Sequence, residues 1–190
     1  MGQFLAQLPA LLGVVVGALA TLATTRATDR ARWKREMEMR WDAQRLEAYM
    51  EYGARLKDLS TLAFRATAGK RPGSRNKLID PALADQLYAE AEANRTRSWE
   101  RVLLMGDAAT VDAARRWRVT IARLHDYAQG VTDDWDGWEP AVRRVDDARD
   151  AYYQAARHSL RVGGGDVAQS AFLRKMDELR KGRETPILGE

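Results

Sequence analysis

The sequence predicts an all-α protein: a single N-terminal transmembrane helix that continues into a long helix packed in an antiparallel bundle of four to five helices. Three observations lead there. Residues 4–25 read FLAQLPALLGVVVGALATLATT, without one Asp, Glu, Lys or Arg. Beyond them, apolar residues recur three and four apart over long stretches, each bracketed by a capping residue and a Gly or Pro. No segment carries the alternation of a strand.

The charge-free run comes first. At the helical rise its 22 positions span roughly 33 Å, enough for a hydrocarbon core of about 30 Å. It is too long for the apolar core of a secretory signal, and Met1-Gly2-Gln3 lacks a basic residue before it. Residues 1–25 are therefore read as an anchor, with an exported bundle and a cleaved leader as the alternative. Arg26, Arg30, Arg32, Lys34 and Arg35 follow the run, opposed only by Asp29. The positive-inside rule then puts the N-terminus outside and the C-terminal domain in the cytoplasm. Within the run, Gly13 and Gly17 form a GxxxG and Thr21 continues that face. Small residues there let two helix backbones approach, which suits a homodimer or a partner helix, though Gly and Ala are also common in membrane spans.

Residues 27–68 contain no Pro and a single interior Gly before the terminal turn, which predicts one long helix. Residues 26–45 read as a charged stalk in which Trp33, Met37 and Trp41 share a stripe. Trp33 suits either a membrane interface or a buried seam. Leu46, Tyr49, Gly53, Leu56, Ser60 and Ala63 then form a heptad-like seam that opens the bundle, residues 46–184. The basic segment 69–77 is a turn by composition. It lacks the GxxxxGK[ST] pattern of a phosphate loop.

Asp80 and Pro81 start the next helix as N-cap and first helical residue, and Gly106 is expected to end it in the left-handed conformation. Asp107 caps the following helix, whose stripe is Val111, Ala114, Trp117, Ile121, Leu124 and Ala128, closed by Gly130. Asp133, Asp134 and Asp136 lack the spacing of a calcium loop and are read as caps. Trp135 and Trp138 beside them are the candidate partner patch, because exposed Trp is a common anchor. A fourth helix carries Val142, Val145, Ala148, Tyr152, Ala155 or Ala156, and Leu160, and should stop at Gly163-Gly164-Gly165. Asp166 is expected to cap a last helix with Val167, Ala171, Phe172, Met176 and Leu179 on one face. That face is read as packing on the bundle, with a membrane surface as the alternative for so basic an amphipathic helix. Residues 185–190 are read as a flexible tail.

Composition narrows the chemistry. The 190 residues include no Cys, which excludes disulfides, thiolate nucleophiles and Cys-ligated metals. Bases outnumber acids by only 31 to 27, with the signs interspersed, so nucleic acid is not an expected partner. Anionic lipid or nucleic acid bound through residues 26–35, the 70–77 loop and the last helix is a third reading. His125 and His158 stand alone, and no serine sits in a nucleophile elbow. The expectation is a non-enzyme without cofactor or metal: a membrane-anchored scaffold or interaction subunit with the bilayer and a protein as partners.

Overall fold

The computed structural model describes the backbone of residues 2–71 and 74–184, and side chains from Thr25 onward except residues 27, 31, 35, 72, 73, 177 and 180–190. Five α-helices account for it: α1 (Gly2–Ala66), α2 (Pro81–Met105), α3 (Ala108–Ala128), α4 (Trp138–Ser159) and α5 (Gln169–Glu184). Short 3₁₀ turns lie at Ala68–Lys70 and Trp135–Gly137, and there is no strand among the described residues. The chain divides into two compact units, Met1–Ala43 and Gln44–Glu190.

Among the described residues no helix is long and apolar enough to cross a membrane. The predicted span, with Gly13, Gly17 and Thr21, lies outside the residues whose side chains are described, as does Arg35. In the first unit Arg26, Arg30, Arg32 and Lys34 are exposed. Trp33 is 69 % exposed, so nothing in this unit covers it as a seam residue.

The second unit holds the core. Side-chain pairs fix the topology as up-down-up-down. Glu47 and Glu51 of α1 meet Arg101 of α2, while Tyr52 meets Trp99. Asp85, Tyr88 and Glu92 of α2 meet Gln129, His125 and Arg118 of α3 in reverse order. Trp117 meets Tyr152, and Tyr127 meets Trp138, between α3 and α4. Phe64 on Trp138, with Tyr49 on Tyr152, closes α4 back onto α1. Tyr52, Leu56, Leu59, Val102, Trp117, Ile121, Leu124 and Tyr152 are sealed at the centre. Aromatic rings at this density add edge-to-face contacts to the area they bury.

The helix ends show why the chain breaks where it does. Asp80 accepts from the amides of Ala82 and Leu83, with Pro81 at the first helical position, as expected. Asp107 likewise accepts from the Thr110 amide at 2.8 Å. Gly106 is extended at φ −78° rather than left-handed. Glycine is needed there for another reason: a Cβ would lie 2.6 Å from the Val102 carbonyl and 3.1 Å from Val111. Gly130 does adopt φ +70° at the end of α3. At the end of α4 the left-handed position falls on Arg161 (φ 55°), ahead of the triple glycine expected to stop the helix. The amide of Val162 donates to Arg157 O and that of Arg161 to His158 O, the paired bonds of a Schellman ending.

Two further expectations are corrected. Asp166 accepts from the Ala168 amide in a local turn and does not cap α5. The amide of Ser170, in the first turn of α5, donates instead to the carboxylate of Asp150 on α4 at 2.6 Å. Arg174 donates to Asp147 of α4 at 2.8 Å. Because this polar side faces the bundle, the apolar side does not. Phe172, Met176 and Leu179 are 60 %, 44 % and 51 % exposed.

Candidate functional site

The densest group of titratable side chains lies between α1, α2 and α3. On α2, Tyr88, Glu92 and Arg95 sit four and three positions apart, on one side of the helix. From α3, Arg118 and His125 face them, and Tyr52 approaches from α1. Glu92 Oε1 accepts from Arg95 Nε at 3.0 Å and from Arg118 Nη2 at 3.1 Å. These side chains are largely enclosed, with Arg95 at 14 % and Glu92 at 28 % exposure. Glu92 Oε2 is buried without a hydrogen-bond partner among the described residues.

Charge decides what this cluster can do. Burial alone would raise the carboxyl pKa of Glu92, but the hydrogen bonds and charges of Arg95 and Arg118 outweigh it and hold it below the ordinary range. Glu92 is therefore an anion at neutral pH and has no proton to donate as a general acid. Burial pushes the Tyr52 phenol up, against the opposing pull of Arg95. His125 stacks on Tyr88 with ring centroids 3.4 Å apart and planes 5° from parallel. Burial lowers its pKa, outweighing the carboxylates of Asp126 and Asp85. The group holds two guanidiniums, one carboxylate, phenols and a neutral imidazole, none of them an activated nucleophile. It acts as a polar brace that ties α2 to α3, with one carboxylate oxygen left over.

The two bundle ends are also built from residues that hold each other. At one, Arg45 Nε donates to Met105 O at 3.0 Å, and the Tyr49 hydroxyl shares a 3.0 Å hydrogen bond with Ser159. An open cavity beside them is lined by Asp107, His158, Ser159, Arg161, Val162 and Gly163. At the other end Arg71 donates to Phe64 O at 2.7 Å and to Thr67 Oγ1 at 3.1 Å. Its guanidinium lies 4.6 Å from the Trp138 ring centroid. Burial lowers the pKa of Arg71, because enclosure strips water from the guanidinium.

That end revises the candidate partner patch. Trp138 is 6 % exposed and belongs to the core, edge-on to Phe64 and Tyr127. Trp135 is half-buried against Tyr127 and Trp138, so the pair does not form an exposed anchor. Asp134 caps the 3₁₀ turn Trp135–Gly137, its carboxylate accepting from the Gly137 amide, whereas α4 itself starts at Gly137 without a side-chain cap. Among the described residues no three His, Asp or Glu side chains are grouped to hold a metal ion.

The Glu92 brace escaped sequence reasoning, though a signal was present. Glu92 and Arg95 interrupt the very side of α2 that carries Tyr88, Ala91 and Trp99. Charges flanked by aromatic residues at helical spacing are candidates for an enclosed ion pair.

No known protein family, curated protein or solved structure matches this chain, so its function is read from its own residues.

Proposed function

We propose that this protein is a membrane-anchored, non-enzymatic helical scaffold or interaction subunit whose bundle lies in the cytoplasm. One observation carries the reading: a charge-free run at residues 4–25 is followed directly by Arg26, Arg30, Arg32, Lys34 and Arg35. The length suits a bilayer and the bases suit its cytoplasmic side. The exposure of Trp33 among those bases is compatible with an interfacial position, where Trp is enriched. In the bundle, the enclosed polar groups serve as caps, ion pairs and braces, as in a module that presents a surface rather than performs a reaction.

The test is topological. A C-terminal reporter active only in the cytoplasm should be active, and the full chain should stay with membranes through alkaline carbonate extraction. Reporter activity confined to the exported compartment, or release by carbonate, would refute the reading and favour an exported bundle with a cleaved leader. Capture of a partner from the detergent-solubilised full chain would then say what the scaffold holds.

A further inference from the structure

We infer that α5 is an interfacial helix that docks on an anionic bilayer surface through Phe172, Met176 and Leu179. These residues sit four and three positions apart, one stripe of a helix, and all three are exposed. The opposite side is already committed. Ser170, 5 % exposed, and Arg174 bind the carboxylates of Asp150 and Asp147 on α4. The stripe therefore faces away from the bundle, in the arrangement of a helix held between a domain and a second surface.

Charge identifies that surface. The helix carries Arg174, Lys175, Arg180, Lys181 and Arg183 against Asp177, Glu178 and Glu184. Arg174 is paired internally, while Lys175 is exposed in the turn between Phe172 and Met176. Bases beside a narrow apolar stripe match a leaflet with anionic headgroups over a hydrocarbon layer, which takes both parts at once. The connection to α4 permits adjustment. Gly164 and Gly165 adopt φ +104° and +77°, conformations open to glycine, with Gly163 preceding them. The inference rests on the anchored reading only for the bilayer being at hand.

The absence of Cys makes the test direct, because one introduced thiol is unique. The full chain carrying Met176→Cys or Phe172→Cys, labelled with an environment-sensitive fluorophore, is reconstituted with vesicles. One set is phosphatidylcholine alone; the other also contains phosphatidylglycerol. Emission should shift to shorter wavelength with the charged vesicles only. The shift should vanish at high salt and in the Lys175→Glu/Arg180→Glu background, whereas a label at Glu100→Cys should not respond. Equal emission with both vesicle types overturns the inference. So does a shift in neutral vesicles that grows with protein concentration, which would assign the stripe to a second copy of the chain. Flotation with neutral vesicles reads the N-terminal anchor separately. A chain that floats with charged vesicles alone and still shows the shift would sink the anchor and leave α5 standing.

Discussion

The Tyr152 phenol donates a 2.8 Å hydrogen bond to the main-chain carbonyl of Tyr49, 103 positions earlier in the chain. Tyr49 in turn shares its own hydroxyl with Ser159, the last residue of α4. The two bonds set the height of α4 against α1, which apolar contacts alone leave free to slide. Removing the hydroxyl with Tyr152→Phe should cost about 1 kcal/mol, because the Tyr49 carbonyl keeps its place in the α1 ladder. The pH dependence is more diagnostic. Burial, reinforced by the neighbouring phenols, pushes Tyr152 far above its ordinary value. Its contribution is therefore complete below about pH 10 and falls as the unfolded chain, but not the folded one, ionises. Tyr52, Tyr88 and Tyr127 shift the same way. Urea unfolding should thus show stability falling above about pH 10, with Tyr152→Phe lowering that slope by up to about 1.4 kcal/mol per pH unit.

Gly53 of α1 lies directly against Tyr152 and Tyr153 of α4. A Cβ there would lie 2.8 Å from the Tyr153 hydroxyl and 3.4 Å from the ring carbon bearing it. Alanine in a helix interior is otherwise worth about 1 kcal/mol over glycine. In the native background that gain should be cancelled, because the ring must tilt and loosen its contact with Lys57. In a Tyr153→Phe background Gly53→Ala should stabilise by about 1 kcal/mol. Equal effects of Gly53→Ala in the two backgrounds, measured by chemical unfolding, would show that the hydroxyl is not the obstacle.

Arg161 occupies a left-handed position (φ 55°) that the triple glycine could have served. A residue with a Cβ pays about 1 kcal/mol there. Arg161→Gly should raise the denaturation midpoint by the equivalent of about 0.5–1 kcal/mol without changing the denaturant slope, since no buried contact is lost. A fall in the midpoint would mean that the Arg161 side chain holds the end of α4 in some way beyond its backbone.

Arg71 closes the opposite end with hydrogen bonds to Phe64 O in the last turn of α1 and to Thr67 just beyond it, and with its guanidinium over the Trp138 and Phe64 rings. Lysine keeps the charge but has neither the fork nor the plane. Arg71→Lys should therefore cost at least half as much as Arg71→Ala, itself about 2 kcal/mol. Near-complete rescue by lysine in thermal unfolding would reduce the role of Arg71 to charge alone.

Where sequence and structure agree, a local cause is at work. Asp80 with Pro81, and Asp107 with Thr110, start helices through bonds spanning two or three residues, so their neighbours dictate them. The seam residues Tyr49, Gly53, Leu56, Ser60 and Ala63 are buried as their spacing predicts. Leu46 is not, being 47 % exposed at the end of the seam. Tyr52 and Leu59 widen the seam, since α1 faces two neighbours rather than one. Periodicity showed that α5 has an apolar stripe but not which side meets the bundle. Asp147 and Asp150 decide that from a different helix. The brace at Glu92 was hidden for a related reason. Opposite charges three apart on a helix usually face solvent, and only the folded register brings Arg118 onto the same carboxylate.

That brace supports the last prediction. Glu92→Gln removes the one anion between Arg95 and Arg118 and leaves two enclosed cations facing each other. The cost should be about 2 kcal/mol, below that of a fully buried pair because the side chains keep some solvent. In an Arg118→Gln background the same change should cost about 1 kcal/mol less, a coupling that a double-mutant cycle on urea midpoints measures directly. Acid separates this cluster from its neighbour. The carboxyl of Glu92 titrates below its ordinary range, so its contribution is complete above about pH 4.5 and is lost as pH falls further. His125, whose pKa is lowered by burial against Tyr88, contributes fully above about pH 6.5 and begins to lose that contribution earlier on acidification. Asp85, Asp126, Glu92 and Arg118 all face it, and the three carboxylates temper the loss. Glu92→Gln should therefore flatten the stability profile below about pH 4.5, and His125→Phe the fall that begins just below about pH 6.5. If either substitution flattens both windows, the imidazole and the carboxylate titrate as one coupled group and the stack on Tyr88 is part of the brace.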